Sequence, residues 1–267
     1  MAEVDAIAQL SGLTFEKIFF LNFMYEYSTF KACTAILVRT AEGKILHGRN
    51  LDFEMYELLA KLLANVEYYR GDQKIYSVDT VVGSAFALTG IRHGAFAINC
   101  DTRKAKDFSK DLISVLVDNA MPTLWLLRKV LEEETSYAVA NKRLRTEETG
   151  GPVYFIISGV GANEGMVIEK DTNSVHAYYE LSDETWFLIQ TNYDRDQPDP
   201  VHDPRRIPVE KRMRERGNQN FSEKTLLEEF MFKWPTFNIA SIMTAIMVPA
   251  TGYHNTTAWY GDNPKRQ

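Results

Sequence analysis

Three residues that could do chemistry together lie close along the chain in "CTAILVRTAEGKILHGRNLDF": Cys33, Arg49 and Asp52. Cysteine attacks as its thiolate, a neighbouring cation favours that form, and a carboxylate can orient the nucleophile or hold the base that deprotonates it. The residues between them read as strand, turn, strand. With Glu42 and Gly43 as a two-residue turn, cross-strand partners have numbers summing to about 85, which sets Cys33 opposite Asp52. Strict alternation then turns Arg49 to the other face unless Gly48 hosts a bulge, and a longer turn slips the register by one residue. The same arithmetic sets His47 opposite Val38, away from Cys33, so no Cys/His pair is expected. Read from the residues alone, a second account stays open: a buried apolar cysteine beside a structural Arg/Asp pair.

The rest of the sequence narrows the class. The chain has 267 residues and a net charge of -6 with both signs mixed throughout, which gives no basic stripe for nucleic acid. The run "RRIPVEKRMRER" reads as a solvated helix. Two cysteines, Cys33 and Cys100, make no disulfide framework. No apolar run is long enough to span a bilayer, and "MAEVDAIAQL" lacks the basic start and apolar centre of a signal peptide, so the chain reads as soluble, and as cytoplasmic if the sequence is complete. Two sequons, Asn220-Phe221-Ser222 and Asn255-Thr256-Thr257, are glycosylation candidates. The five histidines show no metal-ligand spacing and no glycine-rich phosphate loop is present; no metal and no cofactor is expected.

Periodicity places the elements that must position these residues. Helical segments are expected over 4–27, at "YELLAKLLAN", "SKDLISVLVDNA", "PTLWLLRKVLEE" and "TSYAVANKRL", and later at "RIPVEKRMRER" and "SEKTLLEEFMF". Hairpins are expected at "VEYYRGDQKIYSVDT", where Arg70-Gly71-Asp72 is a plain turn, and at "GSAFALTGIRHGAFAIN". Strands are expected again at "PVYFIISGV", "EGMVIEK", "SVHAYYEL", "TWFLIQTNYD", "SIMTAIMVPA" and "HNTTAWYG". Blocks of strands separated by blocks of helices, with no linker, predict one α+β domain of two antiparallel sheets packed face to face and covered by helices.

Several separated stretches together resemble one family. "CTAILVRTAEGKILHGRNLDF", "WLLRKVLEE", "PVYFIISGVGANEGMVIEKD", "WFLIQTNYDRD" and "HDPRR" are similar, in that order, to the catalytic subunit of acid ceramidase and of N-acylethanolamine-hydrolysing acid amidase. These are N-terminal nucleophile hydrolases of the choloylglycine hydrolase-like superfamily. The resemblance implies an αββα sandwich and a precursor that cuts itself between Ala32 and Cys33. Residues 1–32 are then the remnant of the smaller subunit or a pro-segment, and 33–267 the catalytic subunit. It further implies that Cys33 attacks a lipid amide, an N-acylethanolamine or a ceramide, and forms a thioester. By the same resemblance Asp52 holds the new terminal ammonium, Arg49 favours the thiolate or anchors the terminus, Asn192 donates to the oxyanion, and Arg205 completes the polar cluster.

The chain also departs from the family. Members carry a longer amino-terminal region with a signal peptide; here most of the smaller subunit is absent, although the resemblance implies the lysosome as the compartment and a membrane surface as a contact for substrate access. At Asp101-Thr102-Arg103 the family has a glutamate directly before the arginine; Thr102 lacks that carboxylate, and Asp101 stands next to it. Cys100 replaces a small residue and reads as packing. The alternatives are a non-catalytic lipid-binding relative, and an amidase for short acyl or bile-salt-like amides.

Overall fold

The computed structural model describes residues 2–23, 33–53, 55–103 and 108–261. Helices α1 (Ala2–Ser11) and α2 (Phe15–Leu21) precede the hairpin β1 (Thr34–Arg39) and β2 (Ile45–Asp52). The short helix α3 (Tyr56–Leu62) leads into β3 (Leu63–Arg70), β4 (Gln73–Val81), β5 (Thr89–Arg92) and β6 (Phe96–Thr102). Helices α4 (Phe108–Leu116), α5 (Thr123–Glu133) and α6 (Tyr137–Thr146) follow, then β7 (Val153–Gly159), β8 (Gly165–Lys170), β9 (Val175–Glu180) and β10 (Phe187–Gln190). The chain closes with α7 (Arg206–Arg216), α8 (Glu223–Thr225) running into a π-helical turn (Leu226–Met231), and the strands β11 (Ser241–Val248) and β12 (Tyr253–Ala258).

These strands form two antiparallel sheets, a five-stranded one of order β10-β1-β2-β11-β12 and a seven-stranded one of order β3-β4-β5-β6-β7-β8-β9. Strands β2, β7, β8 and β11 are buried along their whole length, because each has the other sheet on one side and helices on the other. Edge strands β3, β9 and β12 alternate between covered and exposed positions instead. Leu124, Leu127 and Leu131 of α5 and Leu144 of α6 cover the seven-stranded sheet through Ile98 and Phe155. Val209 and Met213 of α7, with Leu226 and Phe230 of the π turn, cover the five-stranded sheet through Ile36, Leu46 and Ile246. The expected sandwich is therefore the observed one.

Several boundaries differ from expectation. The helix at 56–65 stops at Leu62, because the β-branched and aromatic residues of "NVEYYR" extend β3 back to Leu63. "SEKTLLEEFMF" gives only a three-residue α-helical start before it widens into the π turn. Part of the helix expected over 4–27 lies outside the described residues, as does Ala32. Gly71 and Asp72 do form a plain two-residue turn, between the paired Arg70 and Gln73 and with Gly71 at φ +59°.

The hairpin that carries the chemistry is corrected by one residue. Its loop has three residues, Ala41 to Gly43, closed by Gly43 N–H donating to Thr40 O at 2.9 Å and by Gly43 at φ +81°. Partners in β1 and β2 consequently sum to 84, as Ala35 opposite Arg49 and Leu37 opposite His47. The slip exchanges the faces, so Arg49 and His47 turn to the side of Cys33 without any bulge at Gly48. Gly48 serves closeness instead: a Cβ there would stand 3.0 Å from Met231 Sδ and 3.1 Å from Leu226 Cδ2 of the π turn. The bulge that does occur is on β11, between Ser241 and Met243, opposite Leu51 and Asp52.

Gly43 therefore sets the register. An added Cβ would stand 3.1 Å from Ala162 Cβ, on backbone in the left-handed region. Gly43→Ala is expected to lower stability by about 1–2 kcal/mol, read as a lower urea midpoint with an unchanged slope; an unaltered midpoint would show that the turn tolerates another conformation.

Candidate functional site

Cys33 sits immediately before β1, 3% exposed, within the main hydrophobic core. Its backbone is gripped from both ends. The Cys33 N–H donates to Asn192 Oδ1 at 2.6 Å, and the Cys33 carbonyl accepts from Arg205 Nη1 at 2.5 Å. Arg205 is itself fixed, donating through Nη2 to Asn192 Oδ1 at 3.0 Å, through Nη1 to Thr34 Oγ1 at 3.1 Å, and bidentately to Asp203 at 2.7 and 2.8 Å. Because Asn192 Oδ1 receives two donors, its amide orientation is determined, and Nδ2 donates to Thr102 O at 2.8 Å. Asn192 lies just after β10 and Arg205 just before α7, so the loop joining those elements brings both to the cysteine.

The sulfur side is built by β2 and β6. Arg49, fully buried, reaches across the sandwich, where its Nη1 donates to Leu88 O and to Thr89 Oγ1 and its Nη2 donates to Cys100 O at 2.8 Å. The same Nη2 lies 3.9 Å from Cys33 Sγ. Arg49 Nε is 3.9 Å from Oδ1 of Asp101, a carboxylate with no exposed surface. Burial pushes the Cys33 thiol up to about 11; Asp101 adds to the rise and Arg49 opposes it. In this uncut form the sulfur is a neutral thiol at ordinary pH.

Asp52 occupies the other face of β2. Its oxygens accept from Ser241 Oγ at 2.6 Å and Asn238 Nδ2 at 2.7 Å, and Arg205 Nη1 stands 3.9 Å away. The β11 bulge delivers Ser241 to this carboxylate, a common device beside active sites. Burial pushes Asp52 up to about 6 against the pull of Arg205 and the two donors. Burial likewise pushes Asp101 up to about 7 against Arg49 and Arg205.

All five site residues named from the sequence thus meet at one end of the sandwich, with Arg205 linking Asn192, the Cys33 backbone and Asp52. The direct Cys33–Asp52 opposition does not occur; the register slip gives Arg49 the face expected for the carboxylate. Sequence reasoning missed Ser241 and Asn238, which hold Asp52, and His47 and Asn99, which connect to Asp101. The available signal was polar alternation inside otherwise apolar strands, His47 and Arg49 in β2 and Asn99 and Asp101 in β6. Asn220 and Asn255, the glycosylation candidates, are both exposed. Histidine spacing also missed one grouping: ligand atoms of Glu169, His176 and Asp194 lie within 4.8 Å of one another. Asp194 is already occupied there by Arg103 through Nε at 2.7 Å and Nη2 at 2.9 Å, and by Tyr154 OH at 2.8 Å, a guanidinium that disfavours a second cation.

Comparison with known proteins agrees with this geometry. No protein-family model matches the chain. Over 251 residues it is 31% identical to the N-acylethanolamine-hydrolyzing acid amidase of Rattus norvegicus, covering 93% of this chain and 68% of the relative. Over 263 residues it is 29% identical to the acid ceramidase of Mus musculus, covering 92% and 66%. The solved Caenorhabditis elegans ortholog of N-acylethanolamine-hydrolyzing acid amidase superposes with a TM-score of 0.76 at 29% identity, over 85% of this chain and 100% of that one. A conjugated bile acid hydrolase of Clostridium perfringens, at 11% identity and a TM-score of 0.55 over 86% of this chain and 90% of its own, shares the fold alone. Two packed antiparallel sheets of this topology are those of an N-terminal nucleophile hydrolase, and the chain belongs to the family of the N-acylethanolamine-hydrolysing acid amidases.

Proposed function

We propose that this chain is a cysteine amidase that hydrolyses a lipid amide, an N-acylethanolamine or a ceramide, to a fatty acid and an amine, after cutting itself between Ala32 and Cys33. The observation that carries the reading is the double grip on the Cys33 backbone, Asn192 on its nitrogen and Arg205 on its oxygen. A cysteine needed only for packing has no use for two buried side chains aimed at its own main chain. A nucleophile that must also become a chain terminus does.

In the uncut chain the Cys33 nitrogen is an amide and the sulfur a thiol. Once cleavage frees the α-amine, a group with a reference pKa of about 7.7–8 lies beside the sulfur and takes its proton. The thiolate attacks the substrate carbonyl carbon while Arg49 faces the sulfur and stabilises its charge. The second hydrogen of Asn192 Nδ2, the one not given to Thr102 O, is available to the oxyanion. Collapse expels the amine, which leaves with the proton held by the α-ammonium, and the acyl group stays on the sulfur as a thioester. Water, deprotonated by the same α-amine, then releases the fatty acid and restores the thiol. Asp52, tied to Ser241, Asn238 and Arg205, holds the terminal ammonium in place.

The reading divides the chain into residues 1–32, belonging to the smaller subunit or a pro-segment, and 33–267, the catalytic part. An acidic setting fits the relatives' names, which call them an acid amidase and an acid ceramidase, and the lysosome is the compartment that the reading assigns. Among the described residues no helix is long and apolar enough to cross a membrane. Substrate access from a lipid surface is supported by exposed Leu10 on α1, Leu13 between the first two helices, Phe20 on α2, Leu116 at the end of α4 and Val117 just after it. A cavity of about 360 Å³ is lined by Val4, Phe19, Phe23, Val115 and Trp125.

Three outcomes are expected. Intact mass spectrometry after incubation at acidic pH will reveal a fragment beginning at Cys33, absent from Cys33→Ala; a chain that stays whole and ignores an acylating probe is instead a non-catalytic lipid-binding relative. In a substrate panel the cut enzyme will prefer long-chain amides to short acyl or bile-salt-like ones, and Asn192→Ala will lower kcat by about 100- to 1000-fold; a preference for short amides would overturn the lipid assignment. The third concerns pH. Asp52, with its folded pKa raised to about 6, contributes stability that is complete below the ordinary carboxyl range and is lost as pH rises through 6. His47, which burial lowers to about 4, acts oppositely, its contribution being complete above the ordinary imidazole value and lost as pH falls towards 4. The protein will therefore gain stability relative to Asp52→Asn as pH drops from about 7.5 to 5, measured by urea unfolding, and a pH-independent difference between the two would contradict the buried placement of this carboxyl.

A further inference from the structure

A buried polar ring joins the two sheets behind the nucleophile. His47 and Arg49 are two residues apart on one face of β2, and Asn99 and Asp101 are two apart on the facing side of β6. His47 Nε2 is 2.7 Å from Asn99 Oδ1, Asn99 Nδ2 donates to Asp101 Oδ1 at 2.9 Å, and that oxygen lies 3.9 Å from Arg49 Nε. Because Asn99 Oδ1 can only accept, His47 carries its hydrogen on Nε2, leaving Nδ1, 2.9 Å away, to accept the Ser158 hydroxyl. Burial lowers the His47 imidazole to about 4 and keeps it neutral, and the ring then runs in one direction, from Ser158 through His47 and Asn99 to Asp101.

All four ring members have no exposed surface. Buried ion pairs seldom stabilise a fold more than apolar side chains of the same volume would, and a separate polar cluster, Ser77 and Asp79 of β4 with His254 and Thr256 of β12, already ties the two sheets together, so cohesion alone does not account for the ring. The charged groups facing Cys33 are Arg49 and Asp52 from β2, Asp101 from β6, and Arg205 with Asp203 from the segment before α7. Of the two carboxylates that act on the thiol, Asp52 has both oxygens hydrogen-bonded. Asp101 Oδ2 has no hydrogen-bond partner among the described residues, and Asp101 weighs more heavily on the thiol than Asp52 does.

The geometry points to His47, Asn99 and Asp101 as a positioning relay that sets a carboxylate 3.9 Å from the Arg49 guanidinium beside the Cys33 sulfur and tunes the ionisation of that thiol. This rests on the reading of Cys33 as the nucleophile. The Asp101 carboxylate opposes thiolate formation and pairs with the cation that supports it, while Leu88 O, Thr89 Oγ1 and Cys100 O hold that cation in place, so the uncut chain keeps a quiet thiol next to a preset guanidinium. Asn99 orients the carboxylate, and His47 orients Asn99.

The test is the rate of Cys33 alkylation by iodoacetamide at about pH 8, with the rate of Cys33→Ala subtracted to remove Cys100. One pKa unit changes the thiolate fraction about tenfold. Asp101→Asn, which keeps the acceptor for Asn99 and removes the charge, is expected to react about three- to tenfold faster, and Arg49→Gln to react more slowly. Asn99→Ala and His47→Leu move in the direction of Asp101→Asn by less, whereas His47→Gln, whose amide can still donate to Asn99, restores the wild-type rate. A folded Asp101→Asn chain, judged by its thermal melt, with an unchanged or slower rate overturns the proposal. If that variant does not fold, equal rates for Leu and Gln at position 47 overturn it. The rates are compared on chains that intact mass shows to be uncut, so that no freed α-amine contributes, and a chain that shows the shifts but never cuts itself refutes the amidase reading and leaves the relay standing.

Discussion

The register of the β1–β2 hairpin is the constraint from which the rest of the site follows. A three-residue loop ending in a left-handed Gly43 sets cross-strand partners to sum to 84, and parity does the rest. Odd-numbered positions of both strands look towards the seven-stranded sheet, which gives Cys33, Arg49 and His47 a common side. Even-numbered positions look towards α7 and the π turn, which gives Asn50 and Asp52 the other. With one loop residue fewer, the guanidinium would face helices and the carboxylate would face the sulfur.

That division separates two electrostatic environments. Towards the seven-stranded sheet, a cation and a carboxylate are held together in an apolar interior, and the sulfur between them stays protonated because burial outweighs the nearby guanidinium. Towards the helices, Asp52 is satisfied by a hydroxyl and an amide and faces Arg205. Arg205 spans both, since it touches the Cys33 carbonyl, Asn192 and the neighbourhood of Asp52 at once.

Much of this was legible in the sequence, and the reasons for the rest are physical. Alternation and turn residues located the strands, and the ordered motifs from Cys33 to Arg205 named five side chains that the fold does bring to one place. The hairpin parity was not legible, because "AEGK" fits a two-residue and a three-residue loop equally well, and the choice depends on Gly43 lying against Ala162, a contact distant in sequence. The π turn was missed because its six residues carry an ordinary helical pattern; the widening reflects tertiary contact with Gly48 and Asn50. Asn238 and Ser241 were invisible for a related reason, since one lies in the turn before β11 and the other at its bulge, and both meet Asp52 from far along the chain.

The π turn is not an ornament of the helical layer. Asn50 Nδ2 donates to Met231 O at 2.7 Å and to Thr236 O at 2.8 Å, while Thr244 Oγ1 donates to Asn50 Oδ1 at 2.7 Å and itself accepts from Trp259 Nε1 at 2.9 Å. Strand β2 is thus bolted from behind through Asn50 and from in front through Arg49, with β1 and β11 on its flanks. A strand so fastened cannot hinge. The 3.9 Å between the Arg49 guanidinium and the Cys33 sulfur is thus a property of the framework, set by a strand that is held on every side.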